Sequence, residues 1–467
     1  MGSLAQRLPA GLRDPGLWVA AAGLLSALLV GVTLAAETPV GLALLLGPGY
    51  AVLVLVNLSL GLALWVPLTF MEGIPALNAA GKAAGFLVAI AWLGSLQSRR
   101  GEAAIATLHS HRLPLVILAG LVVWLSLSLA WSDNPGLSFD DLWHWYVLAL
   151  LFVVVVTTAT TARALRLILA AFVIGAVASV AIGVLDGSLT SAIDGGARFA
   201  GSAGDPNILA ASIIPATVLA AALLSEARSS LLRGLLLGAI VVLVAGLVTS
   251  GSRGGALAAG VTIVAAFVFF KRRRVEVAAV AAVALGIAAL TFVNAPGTWE
   301  RVTNFDEDNG RSDLWTVAWR VGEDQPVTGV GLNNFVVHSP DYVREPGALE
   351  YVGLIVDDPH LVHNTYLQLF AEGGVVGLAL FLGFVGACLR ATKLAADRFE
   401  AQGERSLGTL ARAVMVATIS MLAAMVFLST ATDKRLWLLL ALGPALLAVA
   451  SRERDEASVW PESARLW

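Results

Sequence analysis

Apolar residues along this chain come in unbroken Leu/Ala/Val/Gly runs, not at alternating positions. The runs are Leu17–Ala36, Val40–Val56, Leu58–Phe70, Ala83–Leu96, Leu113–Trp131, Trp143–Thr158, Leu165–Leu185, Asn207–Leu224, Leu235–Thr249, Gly254–Phe270, Val275–Val293, His363–Leu389, Leu407–Leu428 and Leu436–Ala450. Many approach the roughly 20 residues a helix needs to cross a bilayer. Lipid admits only helices and closed barrels, because every backbone polar group must be satisfied internally. Barrel strands would alternate apolar and polar residues, so the pattern predicts helices. The second and third runs are short; one tilted helix or a re-entrant hairpin is the alternative there, which sets the expectation at about 12–14 spans. Leu17–Ala36 is long for a cleavable leader and lacks a clear small-residue exit site, so it reads as the first span.

Composition agrees with the pattern. Hydrophobic residues make up 58% of the chain and charged residues 13%, against about 25% charged in soluble domains. The expected fold class is an all-α polytopic membrane protein with one large extracytoplasmic loop. Its expected organisation is transmembrane helices over 1–293, a loop with short helices over 294–362, and C-terminal transmembrane helices over 363–467. The net charge of −3 is uninformative about partners. Cys388, the single cysteine, lies inside an apolar run and reads as an inert buried thiol.

Lys and Arg fix an orientation. Arg7 and Arg13, Arg99, Arg100 and Arg112, Arg163 and Arg166, Arg228 and Arg233, Lys271–Arg274, Arg390–Arg412, and Arg452 and Arg454 fall on one side if fourteen crossings are made. By the positive-inside rule that side is the cytoplasm. The opposite face then holds Asn294–Val362, with a short amphipathic helix expected around Arg311–Val321.

The informative cations are those on the wrong side of this rule. Arg253 stands in Ser252-Arg253-Gly254-Gly255, between two runs with almost no loop; interfacial snorkelling is the alternative reading. Arg198 precedes a glycine-rich turn and an Asp205-Pro206-Asn207 helix entry, and an ordinary loop arginine is the alternative. Arg311 opens the expected loop helix, where pairing with Asp306 or Asp308 competes. Several arginines at one leaflet suit phosphate oxygens, and a diphosphate above all. His363 begins a span beside Asn364, an amide placed to orient it; a helix-entry hydrogen bond is the alternative. Imidazole is the commonest general base near neutral pH. Asp306–Asp308 and Asp357-Asp358 read as solvated loop acids in preference to a divalent-cation site. His109 and His111 read as solvated, His144 as part of an aromatic belt, and His338 and His360 lack context. No Cys/His metal pattern, phosphate-binding glycine loop or nucleic-acid-binding basic stretch is present, so neither metal nor cofactor is expected.

His363-Asn364, nine residues, Gly374, two residues, Gly377 resembles the signature of the O-antigen ligases, whose superfamily includes O-antigen polymerases and bacterial O-oligosaccharyltransferases. Ser252-Arg253-Gly254 resembles that family's Ser-Arg-Gly turn. Gly310-Arg311…Trp315 followed by Pro326-Val327-Thr328-Gly329-Val330-Gly331-Leu332-Asn333-Asn334-Phe335 resembles its large outer-loop motif. The resemblance runs from about Asn207 to Gly377. It implies metal-independent glycan transfer from undecaprenyl diphosphate to an acceptor hydroxyl at the outer face of the cytoplasmic membrane. In that case Arg253 and Arg311 hold the diphosphate and His363 serves the acceptor. Arg198 is a looser match, Asn364 lies in the signature, and Lys434 and Arg435, which match no motif, are carried as lipid-phosphate contacts. A polymerase of the same superfamily and a lipid-linked glycan transporter are the alternatives. A transporter should show inverted repeats and mid-span charges, and the runs show neither.

Overall fold

The computed structural model describes residues 38–97, 107–108, 112–187, 189–191, 197–294, 310–344, 349, 352–357 and 360–459. The run Leu17–Ala36, Arg7, Arg13, Arg99, Arg100, His109, His111, the cluster Asp306–Asp308 and Asp358 lie outside them.

The protein is an all-α membrane protein. Its helices are α1 (Thr38–Val56), α2 (Leu58–Trp65, continued as a 3-10 turn over Val66–Phe70), α3 (Pro75–Ser95), α4 (Arg112–Leu127), α5 (Pro135–Thr158) and α6 (Ala162–Asp186). A two-stranded hairpin follows, β1 (Leu189–Ser191) with β2 (Ala197–Phe199). Next come α7 (Pro206–Glu226), α8 (Ser230–Thr249), α9 (Arg253–Phe269) and α10 (Arg274–Asn294). The long connection carries α11 (Arg311–Asp324), α12 (Phe335–His338), a 3-10 turn over Ser339–Arg344, and α13 (Gly353–Val356). The chain ends in α14 (Thr365–Ala401), α15 (Arg405–Ala424) and α16 (Lys434–Val459). Among the described residues ten helices are long and apolar enough to span a membrane, and Gly47–Val56, Leu58–Phe70 and Arg253–Phe269 are shorter apolar helices.

The short second and third runs are two helices, not one. Asn57 breaks the chain between α1 and α2 and caps α2 by accepting from the Leu60 amide at 3.1 Å. Near one end of α2, the Ser59 hydroxyl donates to Thr158 O at the close of α5. Near the other, the Ser202 hydroxyl donates to Phe70 O. The segment therefore meets the close of α5 at one end and the turn before α7 at the other.

The two ends of the bundle differ. One, the basic end, carries Arg166 against Glu226 at 3.2 Å, Arg412 against Glu400, and Arg452 donating to Thr107. The other, the loop end, carries the long connection. The centre is α14, packed on α4, α15 and α16, with α7 and α9 against α15. Aromatic rings lock it: Trp437 lies 5.9 Å from Trp145 and 5.4 Å from Phe384, and Phe384 5.1 Å from Phe152. Large flat rings bury much area with few rotatable bonds, which suits a core that must pack without help from water.

Candidate active site

Four helices, α7, α9, α11 and α14, begin at the loop end, and each start explains part of the motif set. Asp205 caps α7, its Oδ1 accepting from the amides of Asn207 and Ile208 at 2.7 and 2.9 Å. Ser252 caps α9 by accepting from the Gly255 amide at 3.1 Å. Asn364 caps α14, its Oδ1 accepting from Tyr366 and Leu367. Asp, Ser and Asn are the residues that satisfy a helix's first amides. Four starts in one place also direct the positive ends of four helix dipoles at it.

Asn207 ties two of these starts together. Its Oδ1 accepts from Arg198 Nη2 at 3.1 Å and from Ser252 Oγ at 2.8 Å. Arg198 Nε donates to Ser250 O at 3.0 Å. The hairpin strand β2, the entry of α7 and the turn before Arg253 are thus one hydrogen-bonded unit. Gly254 follows Arg253, and a Cβ there would stand 2.8 Å from the Phe427 Cβ. Phe427 also meets Trp315 of α11, with ring centroids 6.1 Å apart. Phe427 therefore touches both the Arg253 turn and the first turns of the Arg311 helix.

His363 stands between these parts. It is half-buried, and its φ of +53° lies in the left-handed region. That region is uncommon for residues other than glycine and recurs at functional sites. Burial is the largest cause that lowers its pKa from the ordinary value, followed by the positive charge of Arg311 and by His360, while Asp205 acts in the opposite direction. Arg311, His360 and Asp205 are therefore close enough to act on this imidazole. The next residues anchor it: Thr365 N donates to Met425 O at 3.0 Å, its hydroxyl donates to Leu428 O at 2.6 Å, and Tyr366 OH donates to Leu422 O at 2.7 Å.

The glycines of the signature have a structural role. At Gly374, φ +66° and ψ −172° interrupt α14, a conformation essentially confined to glycine. A Cβ there would come 2.1 Å from Val327 O. The break lets the segment from Pro326 to Gly331 bond the opened helix: Val375 N donates to Pro326 O, Val330 N to Ala371 O and Gly331 N to Glu372 O, at 2.8, 3.0 and 2.9 Å. Trp124 Nε1 takes the Gly373 carbonyl at 2.8 Å. The loop motif is the clamp that fits the broken helix, which fixes α11 over the start of α14.

Three expected substrate contacts have other partners. The side-chain oxygen of Asn364 is committed to the cap and the residue is buried, so it orients the chain around His363 by holding the helix start. Arg435 is 2% exposed, bonds Asp433 through Nε and Nη2 at 2.9 and 2.5 Å, and lies over the Phe70 ring at 5.5 Å. Lys434 pairs with Glu72 at 2.6 Å. The carboxylates of Asp433 and Glu72, invisible as partners in a linear reading, turn that pair of cations into an internal clamp. Arg320, another loop-end cation, donates to Tyr342 O at 2.9 Å and braces the connection. Among the described residues no group of three or more His, Cys, Asp or Glu side chains is placed to hold a metal.

Sequence reasoning missed Asp205 and Asn207 as site residues, reading Asp205-Pro206-Asn207 as a helix entry alone, and it left His360 without context. Phe427 carries no local signal; only the requirement for glycine at 254 points to a bulky neighbour.

No curated protein matches the chain. Residues 238–382 match the family model described as O-antigen ligase, a stretch that holds Arg253, Arg311, His363, Gly374 and Gly377 and stops well short of Lys434. This match, over about a third of the chain, supports the O-antigen ligase superfamily.

Proposed function

We propose that the loop end transfers a glycan from undecaprenyl diphosphate to an acceptor hydroxyl, at the outer face of the cytoplasmic membrane and without a metal. The observation that carries this is the convergence of His363, Arg311 and the Arg253 turn at one point where four helices start. Neutral His363 takes the proton of the acceptor hydroxyl. The acceptor oxygen then bonds the anomeric carbon as the bond from that carbon to the phosphate oxygen breaks, so the configuration inverts. Undecaprenyl diphosphate leaves as an anion and the proton stays on the imidazole until it passes to solvent. Arg253 and Arg311 stabilise the charge that grows on the leaving diphosphate, a term worth about 3 kcal/mol per well-placed donor. Burial first, and the positive charge of Arg311 after it, favour the neutral His363 that can act as a base.

The test is transfer by purified protein, in EDTA, from a defined undecaprenyl diphosphate glycan. Product on a separate glycolipid acceptor supports ligation, and product on a second donor molecule makes it a polymerase. Activity that EDTA abolishes and Mg²⁺ restores overturns the metal-free mechanism. Sidedness is tested by single cysteines in a Cys388→Ser background. An impermeant thiol reagent on intact spheroplasts should label Glu323→Cys, which is exposed on α11, and not Glu404→Cys, exposed at the basic end. The reverse pattern would put the site on the wrong side for an outer-leaflet donor.

A further inference from the structure

Trp315 Nε1 and Ser429 Oγ are buried without a hydrogen-bond partner. An indole N–H can only donate, and buried Trp nitrogens usually find an acceptor. Of the four such orphan atoms among the described residues, these two lie on segments that meet: the Trp315 ring packs tilted against Phe427, and Ser429 follows Phe427 by two residues. The loop that bears Phe427 and Ser429 is the one held by Thr365, two residues after His363. On α11, Trp315 is four residues after Arg311, so both side chains lie on one face, about 6 Å apart along the axis. That is roughly the length of one sugar ring. An aromatic pair with two unanswered donors, one turn from the arginine proposed for the diphosphate, has the composition of a carbohydrate site: mostly apolar, with few and fixed polar groups.

We infer that Trp315, Phe427 and Ser429 form the subsite for the first sugar of the lipid-linked donor, with the indole N–H and the Ser429 hydroxyl donating to ring or hydroxyl oxygens of that sugar. The inference rests on the transfer reading above and adds the part of the donor that the arginines do not read. It makes the site selective for a glycosylated lipid over the bare lipid diphosphate, which is the product that must leave.

Binding to the full-length purified protein separates the possibilities. The probes are undecaprenyl diphosphate alone and the same lipid bearing the glycan used in the transfer assay. Trp315→Phe keeps the ring and removes the N–H. It should weaken the glycosylated lipid about five- to tenfold and the bare lipid less than about twofold. Ser429→Ala should weaken the glycosylated lipid about two- to fivefold with the same selectivity, and it decides the matter if Trp315→Phe does not fold. Equal weakening of both lipids would make these donors phosphate contacts, and no weakening of either would make them structural; both results overturn the sugar subsite while leaving the transfer reading intact. A wild-type protein that binds neither lipid removes the transfer reading itself and this subsite with it.

Discussion

Two groups of cations occupy the loop end, and they stand in different settings. Lys434 and Arg435 are matched by the carboxylates of Glu72 and Asp433, and Arg435 is sealed beneath Phe70. Burial alone would raise the pKa of Asp433, yet the charge and hydrogen bonds of Arg435 lower it below the ordinary carboxylate value. Arg198 donates to the neutral oxygens of Ser250 and Asn207. Arg311 acts on an imidazole, and Arg253 stands on a turn that Ser252 and Gly254 hold. Charge that is cancelled inside the protein fastens α16 to the chain at Phe70–Glu72. Cationic charge collected at four helix starts is suited to an anion from outside.

The comparison breaks most visibly if the internal clamp is cut. Arg435→Ala strands Asp433 in the interior and should cost roughly 3–5 kcal/mol, read as loss of folded protein in detergent or a steep fall in melting temperature. A variant that melts like wild type and fails only in transfer would move Arg435 into the catalytic group. His363→Ala should do the opposite: fold normally and lose about 10²–10⁴-fold in turnover, the usual contribution of a general base. Near wild-type turnover with both substrates saturating would remove the base assignment.

A smaller effect lies in the pH profile. Because the His363 pKa is lowered, its neutral form persists below pH 6.5, and the acid limb of kcat/KM should fall below that value. Arg311 repels the imidazolium, so Arg311→Ala should move the limb to higher pH. Asp205 favours the imidazolium, so Asp205→Asn should move it lower. Shifts of the same sign in both variants would contradict the electrostatic assignment, as would a limb that neither variant moves.

The helices were legible because bilayer thickness imposes a length and hydropathy that a linear scan detects, and most runs recur as α-helices of the structure. Burial was not legible. The spans Lys271–Thr291 and Lys434–Arg452 are both apolar, yet none of the apolar stretch of the first is buried inside the protein against 89% of that of the second. Lipid and a neighbouring helix are equally apolar, so either environment accepts the same residues. At the site, Gly374 could be singled out from the signature. That it breaks α14 to admit the segment from Pro326 to Gly331 depends on two stretches more than forty residues apart meeting. Asn364 and Arg435 show the converse: each is a polar residue at the expected end of the bundle, and each has a partner that only the fold brings to it.

Donor affinity tests the central claim most directly, because it asks which cations meet the diphosphate. Binding of the undecaprenyl diphosphate glycan should weaken at least about tenfold in Arg253→Ala and in Arg311→Ala, as expected for loss of a charge-assisted hydrogen bond. Lysine should restore little, since it lacks the bidentate fork. Lys434→Ala should stay within about twofold of wild type, because Glu72 already holds that charge. Unchanged affinity in both arginine variants, with a tenfold loss in Lys434→Ala, would exchange the roles of the two groups and contradict the account.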